Sequence, residues 1–307
     1  MLYSKIKCTV VGDVGIDYFV YSRVIKVSAE APILVVRKQA VCCVLGLAAN
    51  VASNVKALGA NVQIVGVQGS DYFGQKMLNL IGEQNIQNGL VGDKRPTTVK
   101  ERILANSQQI VRLDTEVDVR ITSQIRNSLL DKIREFNPDI ILVSDYLKGV
   151  VSFELLEELR NMGKMIISNP KPKNILAFRD TDTISLNKEE AYRALKYLKN
   201  SKLGLEDLRK LLNIKYLIET RGQDGLIIYG EDGRISNPAE MVNVADVTGA
   251  GDTVIAIVAL ERFLGTSIQK IGMLANFGGA SVVKQRGTHT VDREEFFRFR
   301  KTVLGVL

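Results

Sequence analysis

Tryptophan is absent from the 307 residues, histidine occurs once, at position 289, and cysteine only three times. Each scarcity removes a class of chemistry. One histidine excludes the triads that need an imidazole and most zinc centres. Cys8, Cys42 and Cys43 offer no disulfide framework, because two are adjacent and the third sits in a strand-like run; this points to a reducing, cytoplasmic setting. Long apolar runs are missing too. The N-terminal stretch is cut by Asp13 and Asp17, so it reads as neither signal peptide nor membrane span, and no membrane partner is expected. Basic residues exceed acidic ones, 41 against 34, but they are scattered and lack interleaved aromatics. No nucleic-acid partner is therefore expected, and a small anionic substrate suits the charge equally well.

What is present is ordinary globular material, 46% hydrophobic and 24% charged, enough for one large α/β core. Strand-like runs alternate with segments of helical period, which predicts a mainly parallel sheet covered on both faces by helices. The clearest strands are Cys8–Val11, Val62–Val67, Ile140–Ser144, Met165–Ser168, Thr183–Leu186 and Tyr216–Glu219. Helices are expected over Ala48–Leu58, Ser123–Phe136, Phe153–Met162 and Lys188–Lys199. Two regions break the rhythm: 18–36 is β-rich without a helix, and 97–115 reads as a hairpin turning near Asn106 and Ser107. Together they suggest a small sheet acting as a lid over a site, or else an edge extension of the main sheet.

The strongest local signal is Asp246-Val247-Thr248-Gly249-Ala250-Gly251-Asp252-Thr253, followed by a very apolar run. A glycine-rich turn opening a buried helix presents backbone N–H groups and the positive end of the helix dipole, an anion hole in which Gly249, Ala250 and Gly251 would hold a phosphoryl group. Asp252 beside it is suited to accept the proton of an attacking hydroxyl. The plainer alternative is that Asp252 caps the helix and the glycines turn the chain. Neither G-x-x-x-x-G-K-[ST] nor G-x-G-x-x-G occurs, so P-loop and dinucleotide-binding readings lose their support.

With these residues in hand, the chain resembles the ribokinase-like (PfkB) carbohydrate kinases along nearly its whole length, and within them the heptose 7-phosphate kinases of ADP-heptose synthesis. The similar segments are V-G-D-V-G-I-D (11–17), S-A-E-A-P (28–32), G-L-A-A-N-V-A-S-N (46–54), Q-Q-I-V-R-L-D (108–114), S-D-Y-L-K-G (144–149), L-N-K-E-E (186–190) and the D-V-T-G-A-G-D-T signature. The resemblance implies a three-layer α/β sandwich with a small β-sheet lid, one kinase domain over 1–307, a homodimer, and ATP with Mg²⁺ as cofactors. It also suggests a monovalent cation such as K⁺ near Asp246–Thr248. It places Asp13, Asp17, Gly46, Asn50 and Asp145 around the sugar. Asn187, Thr220, Gly222, Gly225 and Asn276 fall on the nucleotide, and Glu190 organises Mg²⁺ through water. Lys100 and Arg102 share one face of the hairpin, and with Arg112 and Lys148 they match a clamp for a phosphate the sugar already carries. The implied reaction phosphorylates heptose 7-phosphate at its anomeric hydroxyl. A kinase for ribose or fructose phosphate, or a silent sugar or nucleotide sensor of the same fold, is the alternative.

Three departures qualify the resemblance. Leu47 stands where heptose kinases commonly have glycine, Asn169 where they usually have aspartate, and no H-x-G-H pair occurs. The last implies that a separate nucleotidyltransferase completes the pathway.

Overall fold

The computed structural model describes residues 2–106, 108–198 and 203–305. In chain order, β1 (Lys7–Gly12) is followed by β2 (Val14–Val27), β3 (Leu34–Leu47), α1 (Ala48–Ala57), β4 (Asn61–Gly69), α2 (Tyr72–Glu83) and β5 (Gln87–Asp93). The hairpin β6 (Thr98–Ala105) and β7 (Gln108–Thr115) precedes α3 (Ser123–Phe136), β8 (Ile140–Ser144), α4 (Phe153–Asn161) and β9 (Met165–Asn169). Then come β10 (Thr183–Asn187), α5 (Lys188–Tyr197), α6 (Leu205–Leu211), β11 (Tyr216–Thr220), β12 (Leu226–Gly230) and β13 (Gly233–Asn237). Helices α7 (Ala250–Phe263), α8 (Ile268–Val282) and α9 (Arg293–Leu304) follow. The expected elements are all found within a few residues; Ser107 and Lys199, at the ends of two of them, lie outside the described residues.

Nine strands form one sheet in the order β13-β12-β11-β10-β9-β8-β1-β4-β5. Strands β11 to β13 pair antiparallel at one end and the rest are parallel. The two faces carry separate apolar cores. In β8, Ile140 and Leu142 face one core while Ile141 and Val143 face the other, the alternation a pleated strand imposes when both sides are covered. From β1 the chain builds outward through β4 and β5, then returns to β8 and builds the other way, so β1 and β8 flank the point where strand order reverses. A crevice opens outside the carboxyl ends of such strands.

The two segments that break the rhythm form a second sheet, separate from the first, in the order β3-β2-β6-β7, which removes the edge-extension alternative. It is larger than the sequence suggested, because β2 and β3 each run 14 residues. β1 leads straight into β2 through Gly12 and Asp13. A Cβ at Gly12 would lie 1.9 Å from the Ser144 carbonyl oxygen, so only glycine lets β1 and β8 approach this closely before the chain leaves for the lid.

Candidate active site

Asp252 sits in the first turn of α7, a helix buried on all sides from Thr253 to Glu261. Its N-cap, Gly249, has φ +83°, which glycine adopts without penalty, and a Cβ there would fall 2.9 Å from Asn50 Nδ2. Gly251 fronts open space, with nothing within 4 Å of where its Cβ would be. The Asp252 carboxylate is not spent on capping: Asn50 Nδ2 donates to Oδ2 at 2.6 Å and the Tyr146 hydroxyl to Oδ1 at 3.0 Å. Burial pushes its carboxyl up to about 6, and the two hydrogen bonds limit the rise. A carboxylate poised there is ionised at neutral pH yet basic enough to take a proton.

Asn50 is buried on α1, whose start lies beside the lid. At the lid's base, Asp17 accepts from Arg102 at 2.5 Å and from the Thr288 hydroxyl at 3.0 Å. Gly46 leaves room beside it: a Cβ there would lie 3.0 Å from Asp17 Oδ2. Asp17, Gly46, Asn50, Gly249 and Asp252 therefore converge from β2, β3, α1 and α7.

Two expected sugar ligands have other work. Asp13, 1% exposed, accepts from the backbone N–H of Tyr146 (2.8 Å), Lys148 (3.0 Å) and Val150 (3.1 Å). Asp145, fully buried, accepts from Leu147 N–H (2.8 Å), Lys171 N–H (3.3 Å) and Asn174 Nδ2 (3.0 Å). Burial raises both carboxyls, Asp145 to about 6. They hold the 145–150 loop and the segment after β9 in place, and neither carboxylate opens onto the cleft. Asn276 is likewise committed, its amide donating to the Asn237 and Pro238 carbonyls at 2.8 and 3.0 Å; it stitches α8 to the end of β13.

Asn187 and Glu190 form a capping box on α5: Asn187 Oδ1 accepts from Glu190 N–H at 2.8 Å, and Glu190 Oε2 from Asn187 N–H at 3.0 Å. Thr220 pairs in register with Asn187 at the same sheet edge. The turn beyond it needs its glycines, since Gly222 and Gly225 have φ +58° and +82°, and a Cβ at Gly225 would meet the Asn237 carbonyl at 2.1 Å. Among the described residues no cluster of three or more potential metal ligands occurs. Glu190, with its other oxygen 2.5 Å from Lys171 Nζ, fits Mg²⁺ held through its own waters and the phosphates better than a protein cage. Beside the glycine-rich turn, burial acts to raise the Asp246 carboxyl, but hydrogen bonds from the Thr248 backbone and hydroxyl and from Gly287 N–H outweigh it and lower it.

The four clamp cations do share a region, but none is bare. Arg102 serves Asp17; Lys100 lies 3.5 and 3.4 Å from Asp114 and Glu116; Arg112 is 2.9 Å from Asp114; and Lys148 is 2.8 and 2.7 Å from Glu116 and Asp118. Tyr146, Lys171 and Thr288 escaped sequence reading as individuals. Tyr146 stands inside the S-D-Y-L-K-G segment and Lys171 two residues after Asn169. His289 has its Nε2 2.7 Å from the Arg286 carbonyl.

Comparison with known proteins agrees with this geometry. The profile of the pfkB family carbohydrate kinases matches residues 5–295. Curated relatives named bifunctional protein HldE include those of Nitratiruptor (33% identical, 97% of this chain and 66% of that protein) and Helicobacter pylori strain Shi470 (35%, 93% and 64%). The chain thus spans about two thirds or slightly less of these relatives' length. Among solved structures, Escherichia coli phosphofructokinase-2 in complex with potassium superposes with a TM-score of 0.80 at 16% identity, covering 98% of this chain and 99% of that one. Ribokinase from Thermotoga maritima gives 0.74 at 19%, covering 96% and 99%. At these identities the structural matches establish the ribokinase-like fold.

Proposed function

The chain belongs to the pfkB family of carbohydrate kinases, and from that premise we propose that it transfers the terminal phosphoryl group of ATP to the anomeric hydroxyl of heptose 7-phosphate. The family makes it a phosphotransferase with an alcohol acceptor. The observation that carries the mechanism is the Asp252 carboxylate, held by Asn50 and Tyr146 at the open N-terminus of α7. The acceptor oxygen attacks the γ-phosphorus, the bond to the leaving ADP oxygen breaks, and the hydroxyl proton passes to Asp252. The glycine-rich turn at Gly249–Gly251 and the N-terminus of α7 would stabilise the charge that develops on the transferring group. Glu190 and Asn187 would hold water-coordinated Mg²⁺, which neutralises phosphate charge when bound. A monovalent cation near the Asp246–Thr248 loop belongs to this reading through the family resemblance.

The finer choice of substrate rests on the resemblance to heptose 7-phosphate kinases and on Lys100, Arg112 and Lys148, which lie together at the lid. Their acidic partners are exposed enough to be exchanged for a sugar phosphate; binding energy at that remote group would then orient the anomeric hydroxyl. Asp17 and Arg102 would contact the sugar beneath a lid that excludes water. A homodimer belongs to this reading. It is supported by the row Val41–Val20–Ile103–Val111 across the lid sheet, whose two ends are 48% and 40% exposed and which a second copy would cover. With a single histidine, these 307 residues lack an H-x-G-H pair, and nucleotide attachment is assigned to other residues.

The test is ADP release measured over phosphorylated and unphosphorylated sugars. Release with heptose 7-phosphate well above ribose and fructose 6-phosphate supports the proposal. Preference for either of the others would move the substrate, and release with none despite ATP binding would make the protein a sensor.

A further inference from the structure

We propose that Lys171 is a catalytic residue of this site, the side chain that contacts the γ-phosphoryl group of ATP from the side opposite the α7 amides. This rests on the kinase reading above. Lys171 lies between Pro170 and Pro172 just after β9. Its backbone is fixed from both directions, its N–H donating to the buried Asp145 carboxylate at 3.3 Å and its carbonyl accepting from Asn174 N–H at 2.9 Å. Asn174 also donates to Asp145. Two prolines and a shared buried acceptor leave this segment little freedom, so the ammonium is aimed by the sheet and not by a mobile loop.

The ammonium bridges the two halves of the site. Nζ is 2.5 Å from Glu190 Oε1 and 4.8 Å from the centre of the Tyr146 ring, and the Tyr146 hydroxyl in turn donates to Asp252. It therefore stands between the start of α5 and the proposed base. Lys171 lines a cavity of about 450 Å³ together with Leu147, Asn187 and Glu190, and its side chain is 26% exposed. An ammonium has three donors; Glu190 accounts for one and the aromatic face for another, which leaves one for the cavity. Arg193 on the same wall is 67% exposed and paired with Glu189. Lys171 is also among the groups that act on the Asp252 carboxyl, lowering it against the dominant effect of burial. A cation paired with Glu190 and lying over the ring whose hydroxyl meets Asp252 suits a group whose charge grows in the transition state. The Glu190 pairing holds it ready when no phosphate is bound.

Equilibrium binding of ATP, ADP and AMP needs no knowledge of the acceptor and separates this proposal from the substrate assignment. Wild type should bind ATP. Lys171→Met and Lys171→Gln should each weaken ATP about tenfold or more, the usual worth of a charge-assisted hydrogen bond, while AMP affinity stays within twofold. Turnover with the best acceptor should fall by about 10² with a much smaller change in the acceptor KM. The acid limb of turnover should move to higher pH, because Asp252 loses a stabilising cation. Lys171→Arg should recover part of both effects. ATP and AMP weakened equally, or an ATP affinity and pH profile like wild type in both variants, would overturn the role. Wild-type protein that binds no nucleotide would overturn the kinase reading and this proposal with it.

Discussion

The two sheets hold their charges in opposite ways. At the carboxyl edge of the central sheet, Asp13 and Asp145 are enclosed and bonded chiefly to backbone N–H groups. In the lid sheet, Lys100 and Arg112 are partly exposed and held only by side chains of opposite sign. The first arrangement fixes a floor, because an enclosed carboxylate cannot leave three amides without leaving them unsatisfied. The second is exchangeable, since ion pairs near the surface are weak and a ligand can replace one partner. Asp252 stands at the boundary, partly exposed and held by two side chains, Asn50 and Tyr146.

Asp252→Asn should show the largest effect, a fall in turnover of about 10²–10⁴ with ATP and sugar binding nearly intact. Wild-type turnover should decline as pH drops through about 6, where the carboxyl is protonated, and that limb should vanish from the residual activity of the variant. Near-normal turnover would make Asp252 structural and erase its boundary position. The floor is tested next by Asp13→Ala, which strands three N–H groups and should cost about 3 kcal/mol or more in a denaturant melt; Arg112→Met in the lid sheet should cost less than about 1 kcal/mol. Equal losses would break the contrast.

A smaller change is expected from Lys100→Ala, which should narrow the ratio of kcat/KM for heptose 7-phosphate over unphosphorylated heptose about tenfold. Wild-type protein that treats the two sugars alike would remove the exchangeable half of the comparison. The smallest effect concerns Leu47, whose φ of +56° at ψ −135° is a conformation L-residues avoid. Leu47→Gly should be less destabilising than Leu47→Ala by about 1 kcal/mol, reversing the usual order for a buried leucine, because glycine alone escapes the backbone strain. Thermal melts of the two variants decide it.

Much of this was legible in the residues. β8 and α3 have the bounds read from sequence, because Ile140–Ser144 is a continuous apolar run and Ser123–Phe136 repeats with helical period between clear ends. The glycine-rich turn before α7 was equally plain. The structural role of Asp13 was hidden for a physical reason: an aspartate after a strand looks the same whether its oxygens meet a ligand or the amides of a loop far along the chain. Tyr146 and Lys171 were invisible as partners of Asp252 and Glu190 because that contact exists only once β8, β9, β10 and α7 meet. Leu47 was legible as a departure, and its backbone angle explains why glycine is the residue commonly found there.

The direct passage from β1 into β2 has a mechanical corollary. The 14 residues of β2 extend about 46 Å from a fulcrum at Gly12, whereas Asp17 lies only about 16 Å along the same arm. Any tilt of that ribbon moves its outer end roughly three times as far as the carboxylate at its base. Coarse displacement at the periphery is thus geared down to fine adjustment at Asp17, and whatever presses on the outer end of the ribbon acts there through a reducing lever.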